Sequence, residues 1–335
     1  MQIEGAMVSW NPILGCANPE VASRRASALV AGGFAGGGEN AFWGDFSALI
    51  IRGCLHAAAL ADLNILDAAR MASSTAGWSN AANLIERGGG ASHFITELQS
   101  SAAGDPRTTS SALSVISTVL GGLAYPTLAK AFDGSSGKQT DLADHIASGG
   151  TMYVVAPTEG DRGAVYRPWT CLLVSEASAI LREASGGGRL DRPALLLLNE
   201  IANVAPIPEL PGLLADGRGH NICTIPIVQD PAQLRVRYGQ DAAVAITAAA
   251  QHHLLLSAGS HETARDWEAL IGNHRRKNHS RTIKPGSLVA SSQQQSLDDH
   301  PILPAQELHH LPYGVGILLP RGGRAFPLHL LGPER

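Results

Sequence analysis

Five consecutive apolar residues, Ala194–Leu198, run directly into two polar ones, Asn199 and Glu200. A run this short and continuous suits a strand buried on both faces of a parallel sheet. It does not suit an amphipathic helix, whose apolar positions recur every three or four residues. In open α/β sheets, ligands bind beyond the carboxyl ends of the strands. The step from Leu198 to Asn199-Glu200 therefore puts an amide and a carboxylate where chemistry is expected. The plainer alternative is a strand that ends in a polar turn.

Strands alternate with helices on both sides of that run. Thr151–Ala156, Ala194–Leu198, Ile222–Val228 and His253–Ser257 read as short strands. Trp169–Ala184, Ile207–Ala215, Asp241–Ala250 and His261–Ile271 read as helices. The alternation predicts an α/β domain with a mostly parallel sheet covered on both faces. Pro226 inside a strand points to a bulge or an edge. Ser280–Pro301 is polar and reads as an exposed loop, whereas Gly314–Pro320 and Ala325–Leu331 read as a closing hairpin. Its turn is Arg321-Gly322-Gly323-Arg324, with glycines to supply positive φ.

The first 150 residues follow a helical period. Helices are predicted at Glu20–Ala31, Phe42–Ala61, Asp62–Ala72, Ser79–Arg87, His93–Ala102, Thr109–Gly121, Tyr125–Ala131 and Asp141–Ala147. Glycine-rich breaks at Gly36–Gly38, Gly88–Gly90 and Asp133–Gly137 separate them. Asn18-Pro19-Glu20 is a helix start signal, a capping residue followed by Pro in the first turn. The expected organisation is a linker or residual strand over 1–13, an all-α domain over 14–148, and an α/β domain over 149–335.

Several chemistries are excluded or weakened. Formal net charge is −4, so no global basic field advertises nucleic acid. Cys16, Cys54, Cys171 and Cys223 form no C-x-x-C pair, which argues against structural zinc and for a reduced, cytoplasmic setting. The amino terminus lacks the pattern of a signal peptide, and no apolar stretch is long enough to span a bilayer. His252-His253 and His309-His310 are adjacent pairs that chelate poorly, and His261-Glu262 does not continue as H-E-x-x-H. No G-x-S-x-G elbow is present. The basic run His274-Arg275-Arg276-Lys277, with Arg281 and Lys284, reads either as a solvated loop or as a DNA-phosphate contact.

Residues 199–239 carry a more specific pattern: Pro206-Ile207-Pro208, Leu210-Pro211, Gly217-Arg218-Gly219, Gln229, Gln233-Leu234 and Tyr238-Gly239, in that order. In this stretch the chain resembles the TraG/TraD family of type IV secretion coupling proteins. Val8-Ser9-Trp10-Asn11-Pro12 with the alanine-rich helices, and the tail Leu303–Leu330, resemble that family less strictly. The resemblance implies a RecA-like P-loop NTPase core preceded by an all-α domain. It implies ATP and Mg²⁺ as ligands, a homohexamer, and single-stranded DNA, relaxosome proteins and type IV secretion channel components as partners. Membership would place the protein at the cytoplasmic face of the inner membrane.

The resemblance also implies roles. Glu200 matches the glutamate that polarises the water attacking the γ-phosphate. Gln229 matches the position that senses that phosphate, although a plain strand-end amide reads as well. Arg218 matches an arginine offered to a neighbouring subunit's nucleotide, although an arginine bonding helix-terminal carbonyls reads as well. Asn199, Glu200, Gly217 and Gly219 would line the nucleotide, the glycines letting the backbone turn sharply around Arg218. Asn199 stands where the family has Asp and would hold Mg²⁺ only weakly, through water.

No G-x-x-x-x-G-K-[ST] occurs, and Gly134-Ser135-Ser136-Gly137-Lys138-Gln139-Thr140 has the wrong spacing. The chain is accordingly expected to begin beyond the family's P-loop and membrane helices, and to be impaired in ATP hydrolysis by itself. The alternative is a non-catalytic remnant or regulatory binding module that keeps the fold. The PIPELP and GRG strings argue against a chromosome-segregation translocase.

Overall fold

A computed structural model describes residues 9–34, 41–134, 140–157, 160–282 and 292–330. Val8, the Gly36–Gly38 break and most of Asp133–Gly137 lie outside them. The chain divides into two compact units, Met1–Val228 with Ala232–Ala249, and Gln229–Pro231 with Ala250–Arg335.

The first unit opens with eight helices that follow the predicted order: α1 (Pro19–Gly33), α2 (Ala41–Leu60), α3 (Ile65–Ala72), α4 (Thr75–Arg87), α5 (Ser92–Ala102), α6 (Pro106–Leu120), α7 (Pro126–Phe132) and α8 (Leu142–Ala147). Local chemistry sets their starts. The Asn18 side chain accepts from the Glu20 amide. Asn64 and Asp67 form a reciprocal capping box, so α3 begins three residues later than the periodicity predicts, after Asp62 at φ 53°. Asp105 and Asp141 cap α6 and α8 by accepting from the amides of Arg107 and Thr108 and of Ala143 and Asp144, without a reciprocal box. Buried His56 joins two of these segments. Its Nδ1 lies 2.9 Å from the Cys16 carbonyl, and its Nε2 accepts from the Ala91 amide at 3.1 Å. That pairing makes Nδ1 the protonated nitrogen.

A ninth helix, α9 (Gly160–Ala184), ties the helical region to the sheet. It begins nine residues before the predicted Trp169, because Pro168 lies inside it, and periodicity stops at a proline that the helix itself tolerates. α1 crosses it at Gly32, where an added Cβ would come within 2.6 Å of Pro168 Cα and 2.7 Å of the Arg167 carbonyl. Only glycine permits that approach.

β1 (Ala194–Leu198) pairs in parallel with β2 (Ile222–Pro226), Leu198 standing opposite Pro226 at the last register position. Pro226 thus ends the strand, where its missing N–H costs no central ladder bond. The expectation that both faces of these strands are buried is not met among the described residues. Leu198 and Ile222 are buried, but Leu195 and Leu197 are each 60% exposed, with Ile225 and Ile227 exposed on the same face. Thr151–Ala156, predicted as a strand, is not one: it pairs with no described strand, and Tyr153 and Val155 are exposed. An apolar β-type run becomes a strand only when a neighbour supplies the ladder. The unit is completed by the short α10 (Ile201–Val204), α11 (Leu210–Asp216), α12 (Pro231–Tyr238) and α13 (Gln240–Ala249), of which α10 and α12 were not predicted.

In the second unit, β3 (His252–Leu255), β6 (Val315–Pro320) and β7 (Phe326–His329) form an antiparallel sheet in the order β3-β6-β7. Gly322, at φ 71°, turns the expected β6–β7 hairpin. α14 (His261–Ile271) and α15 (Ala305–His309) pack a small core of Leu255, Ala264, Trp267, Leu308 and Ile317. Ser280–Pro301, predicted as a loop, falls largely in a hairpin of β4 (Asn273–Thr282) and β5 (Ser292–Pro301), paired over ten residues. Strands that are almost wholly polar, with Leu297 the one large aliphatic residue, carry no apolar alternation, so the local pattern does not betray them.

Among the described residues, no single helix is long and apolar enough to cross a membrane. The bent pair Pro106–Ala124 and Pro126–Phe132 passes by composition together. It buries Ile116, Val119, Leu128 and Phe132 in the first core.

Candidate functional site

The β1–β2 pair sets the site. Pairing continues past the strands: the Ile227 amide donates to the Leu198 carbonyl at 2.9 Å, and the Ile201 amide to the Ile227 carbonyl at 3.1 Å. Asn199 and Glu200 occupy the tight turn between those bonds, so both sit at the carboxyl end of the parallel pair, as the apolar run predicted. Asn199 is exposed and Glu200 half-buried.

Glu200 adopts a left-handed backbone, φ 49° and ψ 43°, as the residue that starts α10. For a residue with a Cβ this costs about 1 kcal/mol or more, and such conformations cluster at working sites. The turn is pinned from behind. Glu200's carbonyl accepts from the Asn203 and Val204 amides at 2.8 and 2.9 Å. Arg167 Nε on α9 donates to the Asn203 carbonyl at 2.7 Å, and Thr170 Oγ1 bonds the Val204 carbonyl. α9 therefore holds α10, and α10 holds Glu200.

From α10 the chain passes through buried Pro206 and Ile207 into α11. Ser175 donates to Glu209 Oε1 at 2.7 Å, and Arg182 grips Asp216 with two bonds of 2.7 and 3.2 Å. Arg182's hydrogen bond holds the Asp216 carboxyl below its ordinary range. These contacts anchor both ends of α11 to α9 and place the 3-10 turn Gly217–His220 just before β2.

Arg218 stands on that turn. It is exposed, and its guanidinium makes no hydrogen bond or ion pair among the described residues. It is therefore not an arginine spent on helix-terminal carbonyls. The flanking glycines act differently from the expectation. Gly217 is helical, φ −52°, and is confined by the Ile222 carbonyl, 3.1 Å from where a Cβ would sit. Gly219 faces open space, and the left-handed residue that closes the turn is Asn221, at φ 64°. Gln229 lies three residues beyond β2, exposed, at the start of the second unit. The next residue, Asp230, accepts from Ser260 Oγ at 3.0 Å and from Thr263 Oγ1 at 2.9 Å within that unit.

Sequence reasoning missed two cations near the β1 end. Arg167 and Arg237 are each half-buried. Burial lowers the proton affinity of both, and repulsion from Arg237 lowers that of Arg167 further. Arg167 and Arg237 are separated by β1, β2 and most of α12, so no local pattern pairs them.

Among the described residues, no group of three or more His, Cys, Asp or Glu could hold a metal. Mg²⁺ usually keeps several waters and binds through one or two carboxylates together with substrate phosphates. Glu200 beside Asn199 suits that partial role and does not form an all-protein cage.

Residues 193–313 match the family model described as TraM recognition site of TraD and TraG. The match contains Asn199, Glu200, Arg218 and Gln229, and it agrees with the resemblance seen in the motifs. No curated protein matches the chain by sequence. Among solved structures, the unbound bacterial conjugative coupling protein TrwBdeltaN70 aligns at TM-score 0.72 and 17% identity, covering 97% of this chain and 71% of that one. Plasmid coupling protein TrwB in complex with the GTP analogue GDPNP aligns at TM-score 0.73 and 18% identity, with the same coverage. TrwB in complex with ADP and Mg²⁺ aligns at 0.69 and 17%, again over 97% and 71%. At these identities the likeness shows the fold alone: a RecA-like core carrying a helical region.

Proposed function

We propose that this chain, which carries the TraG/TraD recognition-site region on the fold of a conjugative coupling protein, is part of an ATPase that recruits relaxosome proteins and DNA. In that role it drives their transfer through a type IV secretion system. One observation carries the reading: Glu200, held in a left-handed turn by α9 and α10, at the carboxyl end of a parallel strand pair.

In this role Glu200 accepts a proton from the water that attacks the γ-phosphate. Asn199 contributes an amide beside it. Bound Mg²⁺ supplies neutralisation of the phosphate charge. Exposed Arg218 is offered to the nucleotide of the next subunit in a ring, where a guanidinium stabilises developing negative charge. Gln229 reports loss of the γ-phosphate. With an amide in place of a second carboxylate, hydrolysis is slow.

A second reading, a non-catalytic binding module, is favoured by that same Asn199. ATP hydrolysis measured with single-stranded DNA discriminates. The enzyme reading expects slow turnover by the wild type, about tenfold faster turnover by Asn199→Asp, and none by Glu200→Gln. Background rates from all three proteins would leave only the binding module. Mixing Arg218→Ala with Glu200→Gln protomers should restore part of the activity that each lacks alone, because intact halves then meet at shared interfaces.

A further inference from the structure

We propose that Arg167 and Arg237 form a binding site for inorganic phosphate or a phosphate monoester, where α9 and α10 meet the end of α12. Arg167 lies in α9, and its Nε donates to the Asn203 carbonyl of α10 at 2.7 Å. That bond fixes the guanidinium and leaves its two Nη groups without a hydrogen bond among the described residues. Arg237 sits in the last turn of α12 and makes no hydrogen bond or ion pair among the described residues. Leu234 and Tyr238, on either side of it, pack into the first core, so the backbone that carries Arg237 is held. Both guanidinium-bearing side chains are half-buried. Burial lowers the proton affinity of Arg167 most and the nearby charge of Arg237 lowers it next, while no carboxylate among the described residues acts on either arginine. Glu176 and Asp216, carboxylates of α9 and α11, are taken by Arg24, Arg25 and Arg182.

Charge and shape select the ligand. Two like charges drawn partly out of water and left unmatched destabilise the fold that carries them, and an anion between them reverses that cost. A phosphate monoester carries about −1.5 to −2 at neutral pH and offers three strong acceptor oxygens, enough for both guanidiniums. A carboxylate or a phosphodiester carries one charge and leaves a cation unbalanced. Arginine forks match phosphate oxygens in pairs, and their weak hydration makes half-burial less costly than for lysine. Through Asn203, whose carbonyl takes Arg167 and whose amide bonds the Glu200 carbonyl, the site adjoins the turn that holds Glu200. Binding needs no hydrolysis, so the site and the ATPase reading stand or fall separately.

The test is thermal melting of the full chain in sodium chloride and in sodium phosphate at matched pH and ionic strength. ADP and a short oligodeoxycytidylate without a terminal phosphate are further arms. Phosphate at roughly tenfold excess over its Kd should raise the wild-type Tm by about 2–4 °C. R237Q should melt at or above wild type in chloride, because it relieves the repulsion, and should lose the phosphate shift. A shift by ADP alone that R237Q removes also supports the site and makes a nucleotide's terminal phosphate the source. Equal shifts in wild type and R237Q, or no wild-type shift with phosphate or ADP, overturn it. A shift by the oligonucleotide alone, which offers only diesters, overturns it too. If R237Q does not fold, R237K decides, since it keeps the charge and removes the fork: a shift cut by about half or more supports the site, and an unchanged shift overturns it. Glu200→Gln should keep the wild-type shift; its loss there would place the phosphate at the proposed hydrolytic site and overturn this one.

Discussion

Arg25 and Glu176, 151 residues apart in sequence, form a buried bidentate pair: Arg25 Nη2 donates to Oε1 at 2.5 Å and Nε to Oε2 at 3.0 Å. Arg24 adds a third bond at 2.6 Å. Arg25 also donates to the Pro12 carbonyl at 2.9 Å and packs over Trp10, its guanidinium carbon 5.0 Å from the ring centre. α1 is thereby locked to α9, the helix that positions Glu200. The pair links the all-α region to the candidate site without touching it.

Glu176→Ala leaves Arg25 buried without its counter-charge. The expected loss is about 3 kcal/mol or more of unfolding free energy, read by denaturant titration. Burial alone raises the Glu176 pKa, but the hydrogen bonds and charges of Arg25 and Arg24 outweigh it, and the net value lies below the ordinary 4.5. A carboxyl depressed in the folded state contributes its stability above the unfolded value and loses it as pH falls through the folded one. Wild type should therefore lose this contribution below about pH 4.5. Glu176→Gln, less stable at neutral pH, should show a flatter acid limb.

Gly32→Ala tests the α1–α9 crossing. The new methyl meets backbone at 2.6 and 2.7 Å and Cys171 Cβ at 2.9 Å, so the helices must separate. A loss of roughly 1–3 kcal/mol is expected, as for overpacking. An unchanged melting temperature would show that the crossing is looser than described.

Glu200 separates strain from chemistry. Glu200→Gly removes the left-handed penalty and should hold or raise stability by about 0.5–1 kcal/mol, while hydrolysis disappears. Glu200→Gln keeps the strain and also loses hydrolysis. Stability falling in both variants would mean that the carboxylate is structural.

Thiol reactivity checks the interior. Cys16, Cys54 and Cys171 are buried and Cys223 is exposed on β2. Burial pushes the thiols of Cys54 and Cys171 well above their ordinary range. A neutral-pH thiol reagent should label one cysteine in the native protein and four after denaturation.

Much of this fold was legible locally. The Asn18 start signal is met by α1, and β1 coincides with its apolar run, whereas the Asp105 cap starts α6 three residues before the predicted Thr109. Glu200 and Arg218 could be nominated because their neighbours, apolar Leu195–Leu198 and the GRG string, are contiguous. The two strand misses share one cause. Thr151–Ala156 has the composition of a strand and lacks a partner, whereas β4 and β5 have partners and lack the composition. Hydrogen-bond ladders join residues far apart in sequence, and no local period reports them.

The sequence alone determined the order of the helices through α8, the strand at Ala194–Leu198, and the nomination of Glu200 and Arg218. Only the tertiary structure decided the rest. It twisted Glu200 into a left-handed turn, braced that turn through Arg167 on α9, joined Arg25 to Glu176, and paired β4 with β5. Caps and apolar periods act over a few neighbouring residues. Register, burial and ion pairing depend on which distant segment the folded chain brings alongside.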